Sequence, residues 1–117
     1  MAYSALEAMV AWLSGLGYRA STVVPPEPPD ELVTVERDGG QVESMVDHPL
    51  FALRTWAPTY ARAEEMALQI RNAATMGPKP YGIHRFYGIA GPYPIPDEFT
   101  RCPCQQLVLN ASAQLEI

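Results

Sequence analysis

DHPLFALRTWAPTYARAEEMALQIRNAA, residues 47–74, changes rhythm at its middle. Residues 50–57 are dense in apolar and strand-favouring side chains. Alternation there places Phe51, Leu53 and Thr55 on one face of a strand and Leu50, Ala52, Arg54 and Trp56 on the other. Pro58 has no N–H to give a ladder and ends the strand. Thr59 is a residue type that caps helix N-termini, and Ala63, Met66, Ala67, Ile70 and Ala74 then recur at helical spacing as far as Gly77 and Pro78. Glu64, Glu65, Gln69, Arg71 and Asn72 fall on the opposite, polar side. The segment predicts a central strand that passes directly into the helix covering it.

On the N-terminal side, Leu6, Met9, Val10 and Leu13 share one helical face over residues 4–15. Ser4 with Glu7 three positions on has the form of a capping box, and Gly15 and Gly17 supply a stop. Residues 18–24 are expected to form a short strand, ended by the proline-rich connector PPEPPD, residues 25–30. Residues 32–37 alternate, with Val33 and Val35 on one side and Thr34 and Glu36 on the other, and the DGG at residues 38–40 is expected to be the hairpin turn. His48 is placed in the turn before the strand of residues 50–57.

On the C-terminal side, residues 83–90 are expected to form a fourth strand. GPYPIPDE follows, and its alternate prolines, centred on residues 91–96, predict an extended loop or arm. Residues 105–113 show the cleanest alternation in the chain, with Leu107, Leu109, Ala111 and Ala113 on one side and Gln106, Val108, Asn110 and Ser112 on the other. The whole chain, residues 1–117, is expected to be one α+β domain: a mostly antiparallel sheet of about four to five strands with two helices packed on one face.

Composition narrows the function classes. The 117 residues suffice for a single core, and 48% hydrophobic with 18% charged residues is a globular balance. A formal net charge of −5 argues against a surface that neutralises nucleic-acid phosphates, while it suits tolerance of DNA nearby. The apolar stretch at residues 5–16 is too short to span a bilayer and lacks a basic leader. The expectation is a chain without membrane association, made in a cytoplasm, with Cys102 and Cys104 reduced, because a disulfide across Pro103 alone would be strained.

The remaining candidates for chemistry are sparse. Cys102, Cys104, His48 and His84 form no known zinc spacing, and the cysteines are expected to be small residues leading into the last strand. A cysteine–histidine pair could be assembled from any sequence distance, so a small Cys/His metal-binding domain or enzyme stands as the alternative from another class. Glu64 and Glu65 are consecutive on a helix and do not point together. Gly39 and Gly40 lack the lysine and hydroxyl residue of a phosphate loop. No catalytic, metal or cofactor residue is assigned. Arg54, Trp56, Tyr87, Tyr93 and Pro94 are nominated as an interface, because arginine and aromatic residues dominate association hot spots and Arg54 and Trp56 leave the sheet on the side away from the helices. Shielding of Trp56 by the chain's own proline arm is the competing expectation.

VTVERDGG, DHPLFALRTWAPTYARAEEMALQIRNA and CQQLVLNASAQL together resemble the tail terminator, or tail completion, proteins of long-tailed bacteriophages. The features carrying the resemblance are a strand ending in tryptophan and alanine, a short break, and a helix with paired alanines and acidic residues. The RCPCQ stretch and the tyrosine and proline density of GPYPIPDEF depart from that pattern. The resemblance implies a structural virion protein, assembled in a host cytoplasm and resident at the head-proximal end of the tail. It implies a hexameric ring that caps the tail tube protein, offers a joining surface to the head connector and lets DNA pass without specific binding. A head-closure or neck ring protein is the neighbouring alternative.

Overall fold

The computed structural model describes residues 3–96 and 102–115. Two helices, α1 (Ala5–Gly15) and α2 (Tyr60–Met76), pack on a sheet of β1 (Ala20–Ser21), β2 (Leu32–Glu43), β3 (Val46–Trp56), β4 (Ile83–Pro94) and β5 (Cys104–Ala113). The strand order is β1-β2-β3-β5-β4. Every pairing is antiparallel except the short β1–β2 contact, so the fold is α+β with a mostly antiparallel sheet.

Local chemistry fixes both helix ends. Ser4 and Thr59 accept hydrogen bonds from the N–H groups of Glu7 and Arg62, the third residue of each helix, and so satisfy donors that the first turn leaves unpaired. At the end of α1 the Tyr18 N–H reaches the Leu13 carbonyl and the Gly17 N–H reaches that of Ser14. That pair of bonds is the Schellman arrangement, and it requires the positive φ of 99° that Gly17 adopts.

The helices share a core with one face of the sheet. Met9 and Leu13 of α1 and Ala63, Met66, Ile70 and Ala74 of α2 meet Val33, Val35, Phe51, Leu53, Leu107 and Leu109. Alanine at positions 63, 67 and 74, all buried, keeps α2 close to the strands. The strand-to-helix segment is tied by a buried hydrogen bond in which the Thr55 hydroxyl donates to the Ala63 carbonyl at 2.7 Å. The Trp12 indole N–H donates to the Pro78 carbonyl and ties α1 to the segment just after α2. At the rim, the Arg62 guanidinium bonds Glu31 at 2.6 Å and Glu65 at 2.5 Å, joining the connector before β2 to α2.

Four expectations need correction. DGG is not the turn: β2 runs through it as a bulge, where the register shifts between Arg37 and Gly40, and the hairpin turns instead at Ser44 and Met45, with φ of 53° and 64°. Two consecutive residues of positive φ make the kind of two-residue turn whose twist matches the flanking strands. His48 therefore lies within β3, paired with Gln41. The strand expected over residues 18–24 shrinks to Ala20–Ser21, running parallel to Val33 and Thr34. Gly91–Pro94 belongs to β4 instead of a free arm, although its pairing with β5 is broken by three register shifts. Asp97, Glu98, Phe99 and Arg101, which the sequence reading included in the arm and the RCPCQ stretch, lie outside the described residues.

Arg37 braces the bulge. Its guanidinium forms two 2.8 Å bonds to Asp47 across the strands and a third, of 3.1 Å, to the Gly39 carbonyl. Gly40 is held at φ 123° with the His48 carbonyl oxygen only 2.2 Å from where a Cβ would stand, whereas nothing lies within 4 Å of the same position on Gly39. Gly40→Ala is therefore expected to cost more stability than Gly39→Ala, the latter about 1–3 kcal/mol from backbone strain alone, as measured by urea denaturation.

The Glu31–Arg62 pair gives a pH-dependent expectation. Its hydrogen bond to Arg62 holds the Glu31 carboxyl below the ordinary value of 4.5. A depressed carboxylate contributes stability at neutral pH and loses it as pH falls through the carboxylate range. Arg62→Gln should lower stability by less than about 1 kcal/mol near about pH 7 because the pair is partly exposed, and the difference should shrink as pH falls through the carboxylate range in paired thermal melts.

Candidate functional site

The sheet face away from the helices, called here the reverse face, is built from the alternate residues of each strand. Along β3 these are His48, Leu50, Ala52, Arg54 and Trp56, and along β5 they are Cys104, Gln106, Val108, Asn110 and Ser112. β2 contributes Leu32, Thr34 and Glu36, and β4 contributes Arg85, Tyr87, Ala90 and Tyr93. Leu50, Arg54, Gln106, Val108, Asn110 and Tyr87 are all partly exposed, so the middle of this face has no full cover among the described residues.

Its two ends differ. At one end Trp56 is only 8% exposed and packs with Leu32, Cys104 and Ile95 in a small second core. Ile95, next to the end of β4, is anchored by its N–H on the Cys104 carbonyl. The connector of residues 22–31 crosses nearby, and Val24, Pro28 and Pro29 line a cavity of about 360 Å³ whose wall includes Trp56. The Trp56 indole N–H is satisfied by the Thr34 hydroxyl at 3.2 Å. The chain's own segments thus shield Trp56.

Beside this cluster runs a polar ladder across three strands. The Arg54 Nε–H donates to Gln106 Oε1 at 3.1 Å, and Gln106 Nε2 donates to the Tyr93 hydroxyl at 2.8 Å. Tyr93 is 39% exposed, and Pro94 is exposed at the end of β4. Arg54, Trp56, Tyr93 and Pro94 are therefore gathered in one half of the reverse face, while Tyr87 lies toward the other end beside His48, with 3.2 Å between its hydroxyl and the His48 Nδ1. Gln106, the hub of the ladder, escaped the sequence reading. Its only signal was an outward position in a cleanly alternating strand, shared with every other residue of that parity.

The thiols and imidazoles do not converge. Cys104 pairs with Trp56 at the first residue of β5, whereas His48 and His84 follow the two partners of Ala113 at its last residue. Nine steps along a strand separate these ends by roughly 30 Å. Among the described residues no group of three or more His, Cys, Asp or Glu side chains could hold a metal ion, and no helix is long and apolar enough to cross a membrane. Cys102 is exposed and Cys104 buried.

Both edges of the sheet are blunted against strand addition. β4 carries its three register shifts together with Pro92 and Pro94, which have no N–H to offer. Beyond its contact with β1, β2 presents Glu36, Asp38 and Glu43 around the bulge. Association through the partly covered reverse face is thus less obstructed than association edge to edge. No protein-family model matches the chain, and no curated protein matches it either.

Ile95 is the residue that closes the second core over Trp56. In a Trp12→Phe background, Ile95→Ala is expected to shift the Trp56 fluorescence to longer wavelength and raise its quenching by iodide. Unchanged emission would mean that the connector alone shields the indole.

Proposed function

We propose that this chain is a structural assembly subunit, a tail terminator of a long-tailed bacteriophage that closes with copies of itself into a ring on the end of the tail tube. The ring stops tube growth and offers its other surface to the head connector. The observation that carries this reading is the reverse face of the sheet, where Leu50, Val108, Tyr87 and Arg54 stay partly exposed on a rigid platform while the opposite face is sealed by the helices. Aromatic and arginine side chains on a preorganised sheet are what association hot spots are made of. The resemblance of residues 33–40, 47–73 and 104–115 to tail terminators supplies the specific role. The net charge of −5 supports passage of DNA through such a ring without adhesion.

A ring requires heterologous contacts, in which one surface of a subunit meets a different surface of the next, with a rotation that closes. Covering Leu50 and Val108 completely would add to the driving force, since a fully buried aliphatic side chain is worth about 1.5–3 kcal/mol relative to an exposed one.

Sedimentation of the purified chain should show one closed oligomer. Leu50→Glu should reduce it to monomer with its thermal transition preserved, while Leu109→Ala, on the fully buried side of β5, should instead lose about 2–5 kcal/mol of folding stability. Added to polymerising tail tube protein, the parent chain should shorten the tubes and the Leu50→Glu chain should not. A monomer at all concentrations with no effect on tube length would overturn the proposal.

A further inference from the structure

At the hairpin end of the reverse face, all four long strands or their turn contribute to a groove of about 430 Å³. Both histidines of the chain line it, His48 from β3 and His84 from β4, together with Arg85, Ser112 and Ser44. The juxtaposition follows from the strand order: Ala113 of β5 is the common partner of Asp47 and Ile83, so the residue after each of them stands on one or the other side of the end of β5.

Tyr87 organises the cluster. Its hydroxyl is 3.2 Å from the His48 Nδ1, and its ring carries the Arg85 guanidinium at 4.7 Å from the centroid. One aromatic side chain therefore restrains an imidazole and a guanidinium on the same wall, which lowers the entropy lost when a ligand orders them. Among the described residues Arg85 has no carboxylate within ion-pair distance, unlike Arg37 and Arg62. Its charge, held over the Tyr87 ring, exposed and not neutralised by a carboxylate among the described residues, is open to an anion.

We propose that this groove binds an oxyanion, the phosphate or carboxylate group of a ligand. Arg85 supplies the permanent charge and planar donors suited to such a group. His48 and His84 add ring N–H donors, and the Ser112 hydroxyl adds another. Glu43 lines the groove from β2 and opposes the anion, so its neutralisation should strengthen binding. The oxyanion is either a free ion or a carboxylate presented by a second copy of this acidic chain. The second source rests on the assembly reading above and the first does not.

Inorganic phosphate is the probe, titrated into the full chain while backbone and histidine side-chain NMR signals are followed. Saturable shifts are expected at His48, His84, Arg85 and Ser112. Arg85→Gln should weaken binding about fivefold or more, and Glu43→Gln should tighten it, with thermal melts confirming that both variants fold. Absence of saturable shifts at these four residues, or equal affinity in the parent and Arg85→Gln chains, would overturn the proposal. Sedimentation with and without phosphate separates the sources. Dissociation of an oligomer by phosphate supports a partner carboxylate, and phosphate binding with the mass unchanged supports a free ion. Phosphate binding by a chain that stays monomeric would leave this site standing while removing the ring.

Discussion

The apolar layer between α2 and the facing sides of β3 and β5 is the constraint on which the rest of the structure depends. Phe51, Leu53, Leu107 and Leu109 are excluded from water only if every one of them keeps its parity. A slip of one residue would exchange them for Leu50, Ala52, Arg54, Gln106 and Val108, placing an arginine and an amide in the core. Register is fixed by that penalty and by the Thr55–Ala63 hydrogen bond, which locks the end of the strand to the start of the helix. Once the helix side is settled, the composition of the reverse face follows without further choice.

The parts of the fold legible in the sequence are those governed by short-range physics. The caps at Ser4 and Thr59, the glycine stop of α1, the alanine stripe of α2 and the alternation of β3 and β5 each depend on residues within one or two turns of each other. The hairpin was less legible because glycine pairs serve bulges as well as turns, and DGG gave no means of choosing. Ser44 and Met45, where the chain reverses, are not the asparagine or glycine residues that usually mark positive φ, so the true turn carried no signal. The extension of β4 through Gly91–Pro94 was hidden by prolines that normally forbid a strand and are tolerated here because β4 is an edge.

The candidate sites divide in the same way. Parity along β3 placed Arg54 and Trp56 on the reverse face correctly, since that requires only alternation. That Trp56 would be enclosed by Ile95 and by the connector, leaving Arg54 and Tyr93 linked through Gln106 on the surface beside it, required knowledge of which strands adjoin. The meeting of His48 and His84 was still further out of reach. Thirty-five residues lie between them, and they line one groove because β3 and β4 flank the same end of β5, the last strand.

The bulged hairpin has a consequence for how the molecule can change. Residues 38–45 are all exposed, with Val42 and Met45 at 62% and 78%, so this length of chain owes its shape to its own turn and to the Arg37 brace, with little packing beneath it. Lengthening, shortening or resurfacing it would leave the helices and the central strands indifferent. Such a protrusion is where related molecules are free to diverge in what they touch while keeping the same body.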